Sequence, residues 1–471
     1  GEFYTPHEAS VIMAEIIADH LKNKDEISVY DPTSGSGSLL INIGQAVSKY
    51  FANKNKVKYF AQELIPETYN LTRMNLVMRD ILPSNIVARQ GDTLDRDWPY
   101  FDVNDPENTY EPLFVDACCS NPPYSQPWDD SNAAVDPRFK DYGTAPKSKA
   151  DYAFLLHNLY HLNSGGIMTI VLPHGVLFRG GEEGNIRQRL IDKNHIEAII
   201  GLPANMFYGT GIPTIIMVLK KNRAGSDVLF VDASKGFYKD GNKNRLRQRD
   251  IRKIVDTVLQ KKEIENYSRL VSKEEIKLNE YNLNIPRYVD SNIKEPGYDI
   301  YATMFGGIPN SEIDNFKAYW EAFPTLRDQL FQTSDIPYSH IKVEDVKETI
   351  LKNSDVQIFI KNHNDNFAFL KSYLTNELVQ DPSKVDISTE ERIIASKLRE
   401  RIPDGELIKY YNAYEVLSDN WSVISLDLET IKKESLLSAK AIDDVVTFKK
   451  NKTTKELEEK PIGEEGRVIP F

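Results

Sequence analysis

The sequence predicts an α/β protein whose core is a mostly parallel sheet covered by helices on both faces. Three observations lead there. Short apolar runs alternate with segments of helical apolar spacing across the first half of the chain. The first apolar run is followed by a glycine-rich turn and then a helical pattern, a unit that open α/β sheets use to hold ligands. Four successive runs end in polar or glycine residues, so their tips should converge on one cleft. A cleft built from four tips is much harder to obtain by chance than any single tip.

Residues 7–23 carry Val11, Ile12, Ile16, Ile17 and Leu21 at helical spacing. Thr5 ahead of Pro6 predicts an N-cap with proline at the first helical position. Residues 27–30 read as the first strand. Asp31-Pro32-Thr33-Ser34-Gly35-Ser36-Gly37-Ser38 follows, and then a helix over residues 39–51. The glycines allow a sharp turn and a close backbone approach to a ligand. Leu40 stands where a dinucleotide fingerprint would need its third glycine, and no Gly-Lys-Ser/Thr follows. The loop therefore suits a ligand without a pyrophosphate. Residues 57–62 form the second strand, ending on Glu63. An acid at that tip can take two ribose hydroxyls, or equally it can stabilise the N-terminus of a helix over residues 66–78. Residues 86–90 form the third strand, which ends at Gly91-Asp92-Thr93.

The fourth strand, residues 113–119, ends on Ser120-Asn121-Pro122-Pro123-Tyr124. Asn121 offers a side-chain carbonyl and amide to a planar amino group. Pro122 and Pro123 lack N–H groups and have fixed φ, so their carbonyls are held stiffly. Tyr124 offers a flat face to a ring. Taken alone, the stretch reads as well as a polar turn closing a strand as it does as a cradle for an exocyclic amine.

Residues 125–150 are polar and aperiodic, and loops of that length are usually functional or disordered. Helices follow over residues 151–162 and 183–193, and strands over 167–173, 195–202, 215–219 and 228–231. Phe207-Tyr208-Gly209-Thr210-Gly211 reads as a tight turn. Residues 235–252 form the one basic tract, either a solvated loop and helix or a phosphate-facing edge. Residues 1–290 would make one domain. Beyond them no glycine-rich loop occurs, and residues 291–450 read as a helical region. Helices are expected at 312–323, 343–353, 366–378, 389–401, 411–417 and 426–448, the last able to pair with a partner helix. Residues 451–471 are polar and read as a loose tail.

Composition narrows the classes. At 471 residues, 41% hydrophobic and 27% charged, the chain has the balance of a globular protein with a sizeable core. No apolar run is long enough for a membrane span, and no secretory pattern opens the chain. Cys118 and Cys119 are adjacent on one strand, so their side chains point to opposite faces, which disfavours a disulfide and suits a reducing cytosol. No His/Cys cluster has metal-ligand spacing, and the 8 histidines are scattered singly. A net charge of −12 argues that any grip on nucleic acid is local or comes from a partner.

These residues resemble the modification subunit of type I restriction-modification systems, an N6-adenine DNA methyltransferase that uses S-adenosyl-L-methionine. The matching stretches are Gly1-Glu2-Phe3-Tyr4-Thr5-Pro6, Asp31 through Ser38, Gln62-Glu63, Gly91-Asp92-Thr93-Leu94 and Asn121-Pro122-Pro123-Tyr124. Two further stretches are more specific: His174-Gly175-Val176-Leu177-Phe178-Arg179-Gly180-Gly181, and Gly201-Leu202-Pro203 through Phe207-Tyr208-Gly209-Thr210-Gly211-Ile212-Pro213. The resemblance covers roughly residues 1–290 and implies a Rossmann-like class I S-adenosylmethionine-dependent methyltransferase sheet with a C-terminal helical region for subunit assembly. Family members usually carry a helical domain ahead of the Phe-Tyr-Thr-Pro element, so a truncated chain is expected.

The resemblance also implies roles. Phe3, Tyr4, Thr5 and Pro6 would line the methionine end of the cofactor, with Glu2 in the same binding set. Asp31, Thr33, Gly35, Ser36, Gly37 and Ser38 would hold its amino-acid part. Glu63 would take the ribose hydroxyls and Asp92 the adenine amine. Asn121, Pro122, Pro123 and Tyr124 would hold the flipped target adenine. Implied partners are DNA and a specificity subunit, with a restriction subunit and a second modification subunit as further candidates, in the cytoplasm and off the membrane. Two other readings stay open: an amino-group methyltransferase acting on a glutamine side chain or RNA base, and an assembly scaffold for a specificity subunit.

Overall fold

Nine strands, labelled β1 to β9 in chain order, make one sheet: Ile27–Asp31, Val57–Glu63, Ile86–Gln90, Val115–Ser120, Leu162–Pro173, Ile196–Gly201, Thr214–Lys220, Val228–Asp232 and Ser268–Val271. Their spatial order is β9-β8-β6-β7-β5-β4-β1-β2-β3. β7 runs antiparallel to both β5 and β6, and β9 runs antiparallel to β8. The remaining neighbours are parallel. This computed structural model describes residues 4–50, 54–79, 81–95, 99–100, 111–290, 299–332, 337–402, 407–450 and 457–468.

Two apolar layers sandwich the sheet, and period-two alternation assigns each side chain to one of them. Val29, Ala117 and Cys119 face a layer built with helices α1 (His7–Leu21), α2 (Ser38–Val47), α3 (Pro66–Met78) and α6 (Gln248–Gln260). Tyr30 and Cys118 face the opposite layer, with α4 (Asp151–Tyr160) and α5 (Gly181–Asp192), and Val115 joins them because the register shifts between Val115 and Ala117. Cys118 and Cys119 thus lie on opposite faces, both fully buried and unbridged.

The sheet reverses its winding between β1 and β4. Chain growth runs outward through β2 and β3 on one side and through β4 and β5 on the other. Crevices at such a switch point, beyond the carboxyl ends of the strands, are where open α/β sheets take ligands. Asp31 ends β1, Glu63 ends β2 and Ser120 ends β4, so parallel pairing brings these tips to the same edge.

The structure departs from the sequence expectations at several points. Thr5 is not the N-cap of α1. Pro6 takes that position, its carbonyl accepting the first helical bond from Ser10 N at 3.1 Å, and no side chain caps the helix. β9 was not expected. It is a four-residue edge strand interrupted by Arg269, too short to show an apolar run.

The chain divides into two compact units, Gly1–Asn292 and Ile293–Phe471. The second unit is mainly helical and has its own small cores. It also holds a three-stranded sheet, Ile308–Pro309, Tyr338–Ile341 and Phe331–Gln332, that the sequence did not signal. The helices expected at 411–417 and 426–448 are replaced by one helix, Tyr410–Glu434. Burial of Trp421 and Leu428 carries it through the polar stretch that read as a break. Ser435, at φ 75°, ends it. Ile442–Lys450 is then a strand paired with Leu457–Gly466, so neither the last expected helix nor a wholly loose tail is present. The β-branched residues Ile442, Val445, Val446 and Thr447 favour the pleated form.

Candidate active site

A cavity of about 340 Å³ opens at the switch point. Of the expected site residues, Tyr4, Thr5, Asp31, Thr33, Gly35, Ser36, Ser38, Glu63, Asp92, Asn121, Pro122 and Pro123 all line it. Pro6, Gly37 and Tyr124 are not among the lining residues, though each adjoins one in sequence. Glu2 and Phe3 lie outside the described residues.

The loop after β1 is fixed from α3. Thr72 Oγ1 donates to Gly35 O at 2.6 Å, and Asn75 Nδ2 donates to Ser36 O at 2.9 Å. Gly37, at φ 78°, caps α2; a Cβ there would sit 3.3 Å from Thr72 Cγ2. The Glu63 carboxylate takes Gly35 N at 2.8 Å through one oxygen and Ile65 N at 3.1 Å through the other. It therefore ties the glycine loop to the tip of β2, and each oxygen keeps a further lone pair for the cavity. Asp92 accepts Leu94 N at 2.9 Å.

Asp31 is fully buried. Its Oδ1 accepts Thr33 N at 3.0 Å, while its Oδ2 has no hydrogen-bond partner among the described residues. Burial pushes this carboxyl up to about 8, opposed by the bonds from Thr33 and reinforced by the nearby Glu63 charge. A buried acceptor of this kind, on the wall of a cavity, is able to take a cationic group from outside the chain.

At the other end of the cavity Asn121 is buried beside Pro122. Asn121 Nδ2 donates to Thr5 Oγ1 at 3.0 Å, and Tyr124 Oη donates to Asn121 Oδ1 at 2.8 Å. The Tyr124 ring meets Phe207 edge-on at 6.2 Å. Burial pushes the Tyr124 phenol well above its usual range, with Asp151 adding to the shift. Tyr124 therefore works as a neutral hydrogen-bond donor and a flat surface.

Residues 1–296 match the N-6 DNA methylase family. The chain belongs to this family. It is 41% identical over 307 residues to the type I restriction enzyme MpnII methylase subunit of Mycoplasma pneumoniae, covering 64% of this chain and 55% of that one. It is 33% identical over 303 residues to the MjaVIII methylase subunit of Methanocaldococcus jannaschii, covering 61% and 50%. The chain thus spans about half the length of the curated relatives it matches. The crystal structure of a type I restriction-modification methyltransferase subunit from Streptococcus thermophilus superposes with a TM-score of 0.57 at 47% identity, covering 62% of this chain and 60% of that one. The N-6 DNA methylase resemblance read from the motifs is therefore met, and so is the expected α/β sheet with a C-terminal helical region.

The N-6 DNA methylase cavity also has walls the sequence reading did not name. Leu64 and Ile65 follow Glu63 directly and present exposed apolar surface, and Trp128, Ala150 and Phe154 close another side. The apolar pair after an acidic strand tip was a readable signal, whereas Trp128 sits in the aperiodic loop and gave none. That loop is ordered by its own bonds: Trp128 N to Lys147 O at 3.0 Å, Trp128 Nε1 to Pro146 O at 3.1 Å, and Ala150 N to Gln126 O at 2.8 Å.

Arg138 anchors the same loop beneath the site. Its buried guanidinium donates to Thr93 O at 2.8 Å, to Leu94 O at 3.0 Å and to His157 Nδ1 at 3.1 Å. Because Arg138 can only donate, His157 Nδ1 must accept, which leaves the ring hydrogen on Nε2 facing Tyr30 Oη at 3.0 Å. Tyr30 then donates to Gln62 Oε1 at 2.9 Å. A single directed chain of hydrogen bonds links the Asp92 turn to the residue before Glu63.

The basic tract is spent largely inside the first unit. Lys243 Nζ donates to Phe207 O at 2.5 Å, Asn244 Nδ2 to Ala204 O at 2.7 Å and Arg245 to Tyr208 Oη at 2.9 Å. Arg245, Arg247 and Arg252 pair with Asp240, Asp250 and Asp256. The antiparallel hairpin of Tyr238–Asp240 and Lys243–Arg245 therefore braces the turn that carries Phe207 against Tyr124. Among the described residues, no cluster of metal-binding side chains and no helix long and apolar enough to cross a membrane occurs.

Proposed function

We propose that the chain is the modification subunit of a type I restriction-modification assembly, transferring a methyl group from S-adenosyl-L-methionine to N6 of a flipped adenine in DNA. The observation that carries this reading is the pairing, in one cavity, of an Asp31 carboxylate oxygen that has no donor among the described residues with the Asn121-Pro122 acceptors.

The cofactor fits the residues present. Asp31 Oδ2 would take its ammonium, the Gly35–Ser38 backbone its amino-acid part, Glu63 the ribose hydroxyls and Asp92 the base amine, with Leu64 and Ile65 against the ring. When bound, it supplies a methyl group already activated on a sulfonium. The chain supplies position and electrostatics. Adenine N6 is a poor nucleophile because its lone pair is spread into the ring. Asn121 Oδ1 and the stiff Pro122 carbonyl would accept its two N–H groups and favour a tetrahedral amine. Since N6 lies inside the duplex, the base must leave the stack, and Tyr124 would meet it face-on.

A second reading is favoured by the basic tract. Lys243, Arg245, Arg247 and Arg252 are committed to carbonyls and carboxylates of its own unit, and the net charge is −12. Recognition of the DNA site would then belong to a specificity subunit, with a restriction subunit and a second copy of this chain as further members of a cytoplasmic complex. The test is tritiated methyl transfer to unmodified DNA, with and without the co-purifying subunits. Transfer that requires those subunits supports both readings. Label found only on protein glutamine or RNA would sink the first, and full site-specific activity of the lone chain would sink the second.

A further inference from the structure

The stretch His174-Gly175-Val176-Leu177-Phe178-Arg179 has no part in the proposed cofactor or base contacts, yet it reaches the turn that carries them. Ser125 directly follows Tyr124 and sits at φ 50°, a left-handed conformation that residues with a Cβ rarely adopt. One carboxylate holds it there. Asp151, the first residue of α4 and fully buried, accepts Ser125 N at 2.7 Å through Oδ1 and Ser125 Oγ at 3.3 Å through Oδ2. The same Oδ2 accepts Arg179 Nη1 at 3.2 Å, and that nitrogen also reaches Glu183 Oε1 at 3.4 Å.

The guanidinium has a prepared seat. Gly175 lies against it so closely that a Cβ would come within 2.6 Å of Nη2 and 2.7 Å of Nε. The backbone of Arg179 is pinned as well: its N–H donates to Gly175 O at 3.1 Å, and its carbonyl accepts Arg187 Nη1 at 2.9 Å. Removing such a cation from beside a buried carboxylate is strongly unfavourable, and Asp151 is the group that holds Ser125 by two bonds.

The geometry points to Arg179 and Asp151 as a positioning pair, seated by Gly175, that locks the Asn121–Tyr124 turn in the shape needed to hold the target base. This inference rests on the proposed function of that turn. Neither residue touches the reacting atoms; both act through Ser125.

The test uses the full chain together with the subunits that co-purify with it. Arg179→Met, Asp151→Asn and Gly175→Ala are assayed for tritiated methyl transfer to genomic DNA from a strain lacking the chain. Sinefungin binding and the melting temperature are measured alongside. The pair predicts that kcat falls about 10- to 100-fold in all three variants, since ångström-scale misplacement carries losses of that size. The KM for DNA and the Kd for sinefungin should stay within about twofold, because the cofactor-binding strand tips are untouched. Gly175→Ala removes no charge, so its loss would report the displaced guanidinium. Wild-type kcat in Arg179→Met and Asp151→Asn overturns the pair. So does a loss of sinefungin binding in step with kcat, which would make these residues part of the general scaffold. Failure of the wild-type assembly to methylate DNA would instead overturn the proposed function.

Discussion

Asn121 Nδ2 donates to Thr5 Oγ1 at 3.0 Å across 116 positions of sequence. That bond decides which way the amide faces. With its nitrogen turned to Thr5, Asn121 presents Oδ1 to whatever amine enters, so the orientation of the proposed catalytic acceptor is set by the segment leading into α1. Thr5→Val keeps the shape and removes this acceptor, at a cost of about 0.5–1.5 kcal/mol. Methyl transfer by the assembled enzyme should fall about tenfold or more, while Thr5→Ser should retain it. Equal rates for Val and Thr at this position would show that the amide needs no such orientation.

Tyr124 occupies Asn121 Oδ1 in the base-free protein, so an incoming adenine must take over that acceptor. Tyr124→Phe removes the competing hydroxyl but keeps the ring. It should leave the KM for DNA unchanged or lower. Tyr124→Ala also loses the stacking surface, worth about 1–3 kcal/mol per base, and transfer should drop about 5- to 150-fold. Cofactor binding should survive in both. If Phe and Ala behaved alike, the ring would have no role at the base.

The buried Asp31 carboxyl gives a pH dependence with a definite sign. Its folded value, about 8, is raised above its ordinary 3.8. The folded state therefore holds a proton that the unfolded chain has released, and the associated stabilisation is full below about pH 4 and lost as pH rises through about 8. The melting temperature of the ligand-free protein should decline across that window, and Asp31→Asn should flatten the decline. A cationic ligand needs the carboxylate, so affinity for sinefungin should climb toward pH 8. It should turn over only at higher pH, where the ligand's own amine, raised by its adjacent carboxylate, loses its proton. Calorimetry in buffers of different ionisation enthalpy would detect the proton released, and pH-independent affinity would remove Asp31 from the ammonium site.

Arg138 predicts a link between stability and cofactor binding. Arg138→Met would remove the bonds to Thr93 O, Leu94 O and His157 Nδ1 and break the 2.6 Å ion pair of Arg138 with the part-buried Asp136, at a cost of about 3–5 kcal/mol. Chemical denaturation should show a loss of that order. Sinefungin affinity should weaken too, because the Asp92 turn loses its anchor. A stable variant with wild-type affinity would make Arg138 dispensable.

Much of the sheet was legible in the sequence because its central strands are continuous apolar runs punctuated by glycine, proline and acid. α3 and β3 fall where the spacing placed them, Pro66–Met78 and Ile86–Gln90. The strand tips were legible for the same reason: a polar residue at the end of a buried run has few places to go but the crevice. Contacts between distant segments were not. The Thr5 hydroxyl looked like a helix cap, since capping is the local use of threonine before proline, and only tertiary structure brings Asn121 to claim it. The chain from Arg138 through His157 and Tyr30 to Gln62 joins four elements with no shared period. In the second unit, burial of Trp421 overrode a polar stretch, and β-branched Val445 and Val446 won over the helix suggested by their charged neighbours.

The sequence contains just two cysteines, and both lie in β4, the strand that delivers Asn121, one on each side of the sheet. Both thiols are fully buried, and burial pushes both well above the ordinary thiol range. The protein therefore carries an intrinsic chemical clock at its centre. Alkylation can proceed only when β4 opens, so the rate of thiol modification under native conditions measures how often the strand beneath the catalytic turn lets go of its neighbours. No engineered label is required, and a ligand that clamps the strand tips should slow that clock.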